Sequence, residues 1–333
     1  MAVSSKISII IPTLNAGRVL PACLKSIKSQ KTKYRYEILI IDGGSNDNTL
    51  KIAKKFGAKI YQNPLKTAEA GKAVGVKKAT GNFISLIDSD NILPDKNWLN
   101  LMMSPFADKD IIGSEPIKFT YRQKAGLIER YSALIGANDP FAFITGIYDR
   151  QNFINFKWTN LKIEIQNFKD YLKIKLSKNK SIPTIGANGT IFRKEIFNNF
   201  NKKYLFDIDV LSSYIKKNNV YFAKVKTGII HTYCENNIKK FIRKQNRRIV
   251  DFYTWQKYRT YNWSNSNPFQ FIFYTILIIP MFYHLIIGYF HKPDTAWFFH
   301  PLACFITLYV YCVNFVKNKL NLIKPLDRNQ WQQ

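Results

Sequence analysis

Cysteine is scarce in this chain: four among 333 residues, Cys23, Cys234, Cys304 and Cys312, with no Cys-x-x-Cys pair. That argues against a zinc ribbon or a disulfide framework and fits a reducing compartment. Acidic residues are also few, 22 Asp and Glu against 50 Lys and Arg, which leaves a net charge of +28. Such an excess either implies an acidic partner (nucleic acid, anionic lipid or a phosphorylated substrate) or reflects an AT-rich genome, since Lys, Asn and Ile are all abundant. No nucleic-acid recognition motif accompanies the charge, so nucleic acid is not expected. No secretory leader is expected either. Only Ile7-Ser8-Ile9-Ile10-Ile11 lies between Lys6 and Pro12, too short for a signal core and right for a buried strand. The N-terminal part is therefore expected in the cytosol. Internal repeats are absent. What is abundant is apolar surface, 46% hydrophobic and 15% aromatic, enough for a sizeable core.

The first hundred residues alternate strands and helices. Strands are expected at Ile7–Ile11, Ile38–Ile41, Lys59–Tyr61 and Phe83–Ile87. Helices are expected at Arg18–Gln30, Asn48–Phe56 and Ala68–Ala79, the last closed by Gly81 as C-cap. Repeated strand–helix–strand units imply a parallel sheet, and such sheets hold ligands outside the carboxyl ends of their strands. Pro12, Thr13 and Asn15, then Asp42, then Asp88 and Asp90 all follow strands and so share one rim. Residues 121–180 lack a clean period and read as an insertion near the acceptor side.

The last third changes character. Phe269–Phe290 and Thr295–Val316 carry no formal charge, and each matches the ~20 residues that cross a bilayer. Only His291-Lys292-Pro293-Asp294 separates them, so a transmembrane hairpin over 268–317 is expected. Pro280 and His284 mark a kink or a re-entrant path within the first run. Basic residues flank both runs, which puts both termini in the cytosol at a plasma or inner membrane. The segment 236–267 mixes Lys and Arg with Phe241, Trp255, Tyr258 and Trp263, suited to an interfacial helix on an anionic membrane surface. A catalytic domain over 1–235 and a cytosolic tail over 318–333 complete the division.

Asp88-Ser89-Asp90 carries the sharpest chemistry. Strand alternation turns Asp88 and Asp90 to the same side. Two carboxylates there suit a hard divalent ion, Mg2+ or Mn2+, set against a diphosphate leaving group. A further carboxylate would take the proton of the attacking hydroxyl. Asp-x-Asp alone is a common tripeptide; at the end of a buried strand on a shared rim it weighs more.

Together, Ile9–Asn15, Ile40–Thr49, Gly71–Gly81 and Ile84–Asp90 resemble glycosyltransferase family 2, the inverting enzymes of the GT-A fold. The resemblance covers about residues 5–105 strongly and 183–250 more weakly. It implies a Rossmann-like nucleotide-binding sheet and transfer from a nucleotide sugar, a UDP-sugar, to a polyprenyl phosphate or lipid-linked saccharide. It implies that Pro12, Thr13 and Asn15 line the nucleotide pocket and that Asp42 bonds the base. Lys72 stands near the nucleotide, Asp88 meets the ribose or metal, and Asp90 binds the metal. Ala73 replaces a common Asn. In Phe206-Asp207-Ile208-Asp209, Phe206 replaces the first residue of an acidic pair, which leaves Asp207 or Asp209 as the base, Asp207 preferred. His231, after Gly228-Ile229-Ile230, resembles a metal ligand of part of the class. Asn188-Gly189 resembles the loop beneath the acceptor. Gln245-Asn246-Arg247-Arg248-Ile249 faintly resembles a motif of processive synthases, although lipid or diphosphate binding by Arg247 and Arg248 is the better reading. A nucleotidyltransferase is the alternative enzyme, but Pro12-Thr13-Leu14-Asn15 lacks the Gly-rich phosphate loop. A membrane-anchored nucleotide-binding protein without activity is the non-enzymatic alternative.

Overall fold

The computed structural model describes residues 6–178, 181–186, 188–198, 204–215, 219–261 and 267–328. Ala187, Trp263 and the tail beyond Arg328 lie outside these residues. Strands β1 (Lys6–Thr13), β2 (Arg35–Asp42), β3 (Lys59–Gln62), β4 (Phe83–Leu86) and β5 (Asn91–Ile92) come first. β6 (Ile111–Phe119), β7 (Glu164–Asn167), β8 (Tyr171–Leu176), β9 (Thr190–Arg193) and β10 (Val220–His231) follow. The helices are α1 (Leu20–Lys28), α2 (Thr49–Lys55), α3 (Ala68–Lys78), α4 (Trp98–Met103), α5 (Leu127–Ile135) and α6 (Pro140–Ile144). After them come α7 (Asp207–Ile215), α8 (Ile238–Trp255), α9 (Pro268–Ile276), α10 (Ile279–His291) and α11 (Phe299–Lys319).

Contacts divide the chain into two compact units. The first takes the described residues up to Ile117, Lys162–His231 and Arg328; the second takes Lys118–Leu161 and Thr232–Asp327. The stretch 121–180 is thus divided at Leu161: α5 and α6 belong to the second unit, while β7 and β8 join the sheet.

In the first unit the strands lie in the order β3-β2-β1-β4-β9-β6-β10-β8-β7, with β5 pairing β10. The β1–β4 part is parallel. β9 runs antiparallel to β4 and β6, and β8 antiparallel to β10. Ile7, Ile9, Ile10 and Ile11 of β1 and Leu39, Ile40 and Ile41 of β2 are fully buried, as strands covered on both faces require. Helix α1 buries Leu20, Cys23, Leu24 and Ile27 at helical spacing. Helix α3 packs close on β1: a Cβ on Gly75 would stand 2.4 Å from Ile10 Cγ2. The helices expected near residues 18–30 and 48–56 form with ends trimmed by one or two residues.

Gly81 does not cap α3. The helix ends at Ala79 with φ −66° and ψ 133°, so no left-handed residue is used. Gly81 instead lets the chain approach β1. A Cβ there would stand 2.6 Å from Lys6 O and 2.8 Å from Ser8 N. Its N–H donates to Ser8 Oγ at 2.8 Å. Gly81→Ala must push two backbones apart and is expected to cost about 1–3 kcal/mol, read as a lowered thermal midpoint.

The second unit is helical, around a core that includes Ile128, Tyr131, Phe143, Phe241, Phe271, Met281 and Trp297. Trp297 lies against Gly288, where a Cβ would come within 2.6 Å. Among the described residues one helix, Thr295–Lys319, is long and apolar enough to cross a membrane. The run Phe269–Phe290 does not form one straight helix. It breaks at Ile278, whose φ is +61°, and α9 and α10 meet at 86°. Pro280 opens α10, so the kink expected there sits at the helix start. Helix α8 carries the basic-aromatic segment and buries Phe241, Gln245 and Val250. Gln245 donates to Asn138 O at 3.1 Å, and Arg248 Nη1 to Asp139 Oδ2 at 2.7 Å. The guanidinium of Arg248, expected to meet lipid or diphosphate, is therefore already neutralised within this unit.

Candidate active site at the carboxyl ends of the parallel strands

The loops after β1 and β2 are sewn together through Asp42. Thr13 Oγ1 and Ser45 Oγ donate to its Oδ1 at 2.8 and 2.6 Å. The backbone N–H groups of Gly44 and Ser45 donate to Oδ2 at 2.9 and 2.7 Å. Four donors use the lone pairs of one carboxylate, and Asp42 is buried. A direct bond from Asp42 to a base would have to displace one of them. Asn15, at φ +49°, donates its N–H to Ser45 Oγ at 2.8 Å and accepts from Asn46 N at 2.9 Å. Pro12 is buried against Gly71 of α3, where an added Cβ would stand 3.1 Å from the proline ring.

The Asp-x-Asp turn follows β4. Asp88 N donates to Asn91 Oδ1 at 3.1 Å, and Asn91 N returns to Asp88 O at 2.9 Å. Asn91 begins β5 and stands opposite His231 at the end of β10. That short pairing brings His231 Nε2 to 3.4 Å from Asp90 Oδ1. Cys23 lies beneath, its Sγ 3.9 Å from Asp88 O. Burial first, then the charges of Asp90 and Asp88, push its thiol well above the usual range, so it stays an inert filler.

Lys72 projects from α3 and Asp207 from the first turn of α7. Nζ and Oδ2 meet at 2.6 Å with both side chains buried. Burial raises Asp207 to about 6, although Lys72 pulls the other way. Burial also works against the Lys72 ammonium, but Asp207, Asp88 and Glu69 outweigh it and hold it above its ordinary value. The second oxygen, Asp207 Oδ1, is buried with no hydrogen-bond partner. Buried oxygens of this kind point to a group that arrives with a ligand. Asp209 is buried too, but residues two apart on a helix face different ways. Lys72 and Asp88 act on Asp207.

Residues 182–186 and 188–190 close the site from the other side. Asn188 Oδ1 accepts from Asn91 Nδ2 at 3.1 Å, and Gly189 N donates to Leu86 O at 3.1 Å. Gly189 has φ +82°, and a Cβ there would stand 2.6 Å from Ile229 Cδ1 and 3.0 Å from Trp98. Gly186 passes near Asp207: an added Cβ would be 3.7 Å from Oδ2. The loop is anchored by Glu115, whose Oε1 accepts from Gly186 N at 3.1 Å and Thr190 Oγ1 at 3.0 Å. Glu115 Oε2 in turn meets Lys224 Nζ at 2.6 Å, both side chains fully buried. Sequence reading missed Asn91, Glu115 and Lys224. The available signal was a charged residue set in an apolar run, as in Ile111-Ile112-Gly113-Ser114-Glu115.

Among the described residues no three His, Cys, Asp or Glu side chains group to hold a metal ion by themselves. Asp90 and His231 offer two ligands. That fits a small divalent ion taking one or two protein ligands and completing its shell with phosphate oxygens and water.

Comparison with known proteins agrees with this geometry. The model of glycosyl transferase family 2 matches residues 8–200. Glycosyltransferase AglE of Haloferax volcanii is 28% identical over 136 residues, 38% of this chain and 44% of that protein. A PGL/p-HBAD biosynthesis glycosyltransferase of Mycobacterium tuberculosis is 39% identical over 98 residues, 28% of this chain and 38% of that one. The chain thus matches less than half the length of these curated relatives. A mannosyltransferase from Pyrobaculum calidifontis, solved in complex with GDP-Man and Mn2+, shares the fold at TM-score 0.55 and 10% identity, over 96% of this chain and 88% of that one. The family match runs across more than half of the chain, from β1 past β9, and takes in both the Asp42 loop and the Asp-x-Asp turn. This protein belongs to glycosyl transferase family 2, and its mixed sheet has the GT-A arrangement.

Proposed function

We propose that this chain is an inverting glycosyltransferase that moves a sugar from a UDP-sugar to an acceptor hydroxyl on a lipid-linked saccharide at a membrane face. The observation that carries the reading is the buried Lys72–Asp207 pair, with one carboxylate oxygen unsatisfied and the charge of Asp88 acting on it, in the same unit as the Asp90–His231 pair. Pro12, Thr13 and Asn15 shape the nucleotide pocket, and Asp42 acts on it by fixing the Gly43–Ser45 loop. Asp88 stands at the ribose. Asp90 and His231 would hold Mg2+ or Mn2+, which when bound neutralises charge on the leaving diphosphate.

In the transfer, Asp207 Oδ1 accepts the proton of the acceptor hydroxyl. The acceptor oxygen bonds to the anomeric carbon as that carbon's bond to the diphosphate oxygen breaks. The electron pair leaves with the nucleoside diphosphate, and a single displacement inverts the centre. Lys72 keeps Asp207 oriented and favours its ionised form. A polyprenyl phosphate acceptor needs no such base, because its oxygen is already anionic at neutral pH. The buried carboxylate therefore favours a hydroxyl acceptor.

Membrane attachment is supported by exposed Phe269, Phe273, Ile279 and Phe290 in the unit that also carries the basic helix α8, and by one helix of spanning length among the described residues. The basic flanks favour a cytosolic catalytic unit. The test is turnover of the purified full chain with Mn2+, a panel of UDP- and GDP-sugars, and membrane lipid extract. Release of UDP is expected; pyrophosphate release, or no turnover with any donor, would overturn the reading. In the same assay Asp42→Asn is expected to raise the donor KM about tenfold with a smaller change in kcat. It loses an acceptor for two loop N–H groups, worth roughly 1–3 kcal/mol.

A further inference from the structure

We propose that the buried Glu115–Lys224 pair positions the acceptor: it holds the backbone at Gly186 beside Asp207, and the room that Gly186 leaves there belongs to the acceptor hydroxyl. The proposal rests on the reading of Asp207 as the base. Glu115, Gly186, Thr190, Asp207 and Lys224 all lie in the first unit.

The sheet has little need of this pair. Glu115 on β6 and Lys224 on β10 are fully buried, and their charged atoms meet at 2.6 Å. Taking two charges out of water offsets most of their attraction, and apolar residues of like volume often serve such a position as well or better. Ala223 and Val225, on either side of Lys224, are buried apolar residues already. The use of the pair lies in what apolar residues cannot do. Lys224 takes one carboxylate oxygen, Oε2. The other, Oε1, accepts from Gly186 N at 3.1 Å and from the Thr190 hydroxyl at 3.0 Å. That hydroxyl also reaches Gly186 O. Both polar groups of the Gly186 backbone are thus gathered at one carboxylate. A charged acceptor holds such donors about twice as strongly as a neutral one. Glu115 acts through the loop, so it is a positioning residue.

The two glycines of this stretch differ in why they are glycine. Gly189 is required by its positive φ and by the side chains of Ile229 and Trp98 against it. Neither reason applies to Gly186. Its φ lies outside the left-handed region, and among the described residues a Cβ there would meet only Asp207 Oδ2 and Thr184 O, both at an ordinary 3.7 Å. Neither the backbone nor the neighbours demand a glycine at this position. It stands beside a carboxylate whose second oxygen is buried without a partner. Space next to an unsatisfied buried oxygen is where a ligand's donor fits. A hydroxyl entering there would meet Asp207, at a distance that the anchored Gly186 backbone sets.

The test compares two paired substitutions in the full chain. Glu115→Leu with Lys224→Met removes both charges and the acceptor for the loop. Glu115→Gln with Lys224→Gln removes the charges but keeps an oxygen for Gly186 N and the Thr190 hydroxyl. Each is assayed with Mn2+, the UDP-sugar that the parent turns over, and membrane lipid extract. The first pair is expected to lower transfer at limiting extract about 100-fold, the scale of a 1 Å misplacement, while Mn2+-dependent UDP binding stays at the parent's value. Peptides covering residues 182–190 should exchange their amide hydrogens faster than in the parent. The Gln pair should restore both transfer and protection. Gly186→Ala keeps the anchor and should raise the extract needed for half-maximal rate about tenfold, as one added methyl does in a fitted pocket. Parent-like transfer in the Leu/Met pair, or equal losses in both pairs, would overturn the positioning role. Loss of UDP binding along with transfer would overturn it too. An unchanged extract dependence in Gly186→Ala would overturn the assignment of the space. Should the Leu/Met pair fail to fold, Thr190→Val decides. It removes only the hydroxyl between Glu115 and Gly186 and should lower transfer about tenfold; a parent-like rate would overturn the proposal. A parent chain that turns over no donor would sink the transferase reading and this proposal with it, whereas every other outcome leaves that reading standing.

Discussion

Asp90→Ala is expected to lower sugar transfer about 1,000-fold at saturating donor, the scale on which removal of a charge-stabilising group acts. Asp90 is the carboxylate paired with His231, and it ends a turn already fixed by Asp88 and Asn91. The fold should therefore survive, with a thermal midpoint close to that of the parent chain. The decisive second readout is binding. Calorimetry should show Mn2+-dependent tightening of UDP binding in the parent and none in the variant. His231→Ala keeps one ligand and should instead raise the Mn2+ concentration needed for half-maximal rate about tenfold. Full activity of Asp90→Ala would remove the carboxylate from the reaction, whatever the fold suggests.

Asp207→Asn is expected to reduce kcat by roughly 100- to 10,000-fold, the usual worth of a positioned base, while nucleotide binding persists. The sign of the pH dependence follows from its raised value of about 6. Only the ionised carboxylate accepts a proton. Below pH about 6 kcat should therefore fall tenfold per unit, and above it the rate should level off. Lys72→Met removes the group that lowers Asp207 and leaves burial unopposed, so the acid limb should move to higher pH. A structural role for Lys72 alone would cut the rate without moving that limb. If Asp209 were the base instead, Asp207→Asn would keep most of its rate. If the acceptor were a phosphate, the Asn variant would also stay active and the limb would vanish with it.

Much of this frame can be read from residues close in sequence. Isoleucine runs such as Ile9-Ile10-Ile11 admit little but buried strands, and helical spacing picks out α1. The rim of polar residues after those strands follows directly. Contacts made late in the chain are less legible. His231 stands out as a lone histidine after an apolar run, but its approach to Asp90 depends on the β5–β10 pairing over 140 residues, which no local pattern encodes. Asp42 was legible as a rim residue and not as a loop clamp, since four donors from Thr13, Gly44 and Ser45 converge only when two loops meet. Gly81 reads as a helix stop; in the fold it is needed for a backbone passing within van der Waals distance. The apolar run Phe269–Phe290 hid its break because Ile278 at φ +61° is a conformation that a β-branched residue rarely takes.

The ion pair between Glu115 and Lys224 has a consequence for biogenesis. The partners are separated by 109 residues, and the strand carrying Glu115 gains its neighbours β9 and β10 only after residues 190–193 and 220–231 are made. At synthesis rates of about 5–20 residues per second, Glu115 emerges roughly 5–20 s before its lysine. The first four strands can pair among themselves meanwhile, while β6 waits with two open edges and a carboxylate that keeps it hydrated. The charge that locks the finished sheet also shields the nascent strand from premature partners, and replacing both members by apolar residues would remove that shield even where it left the mature fold intact.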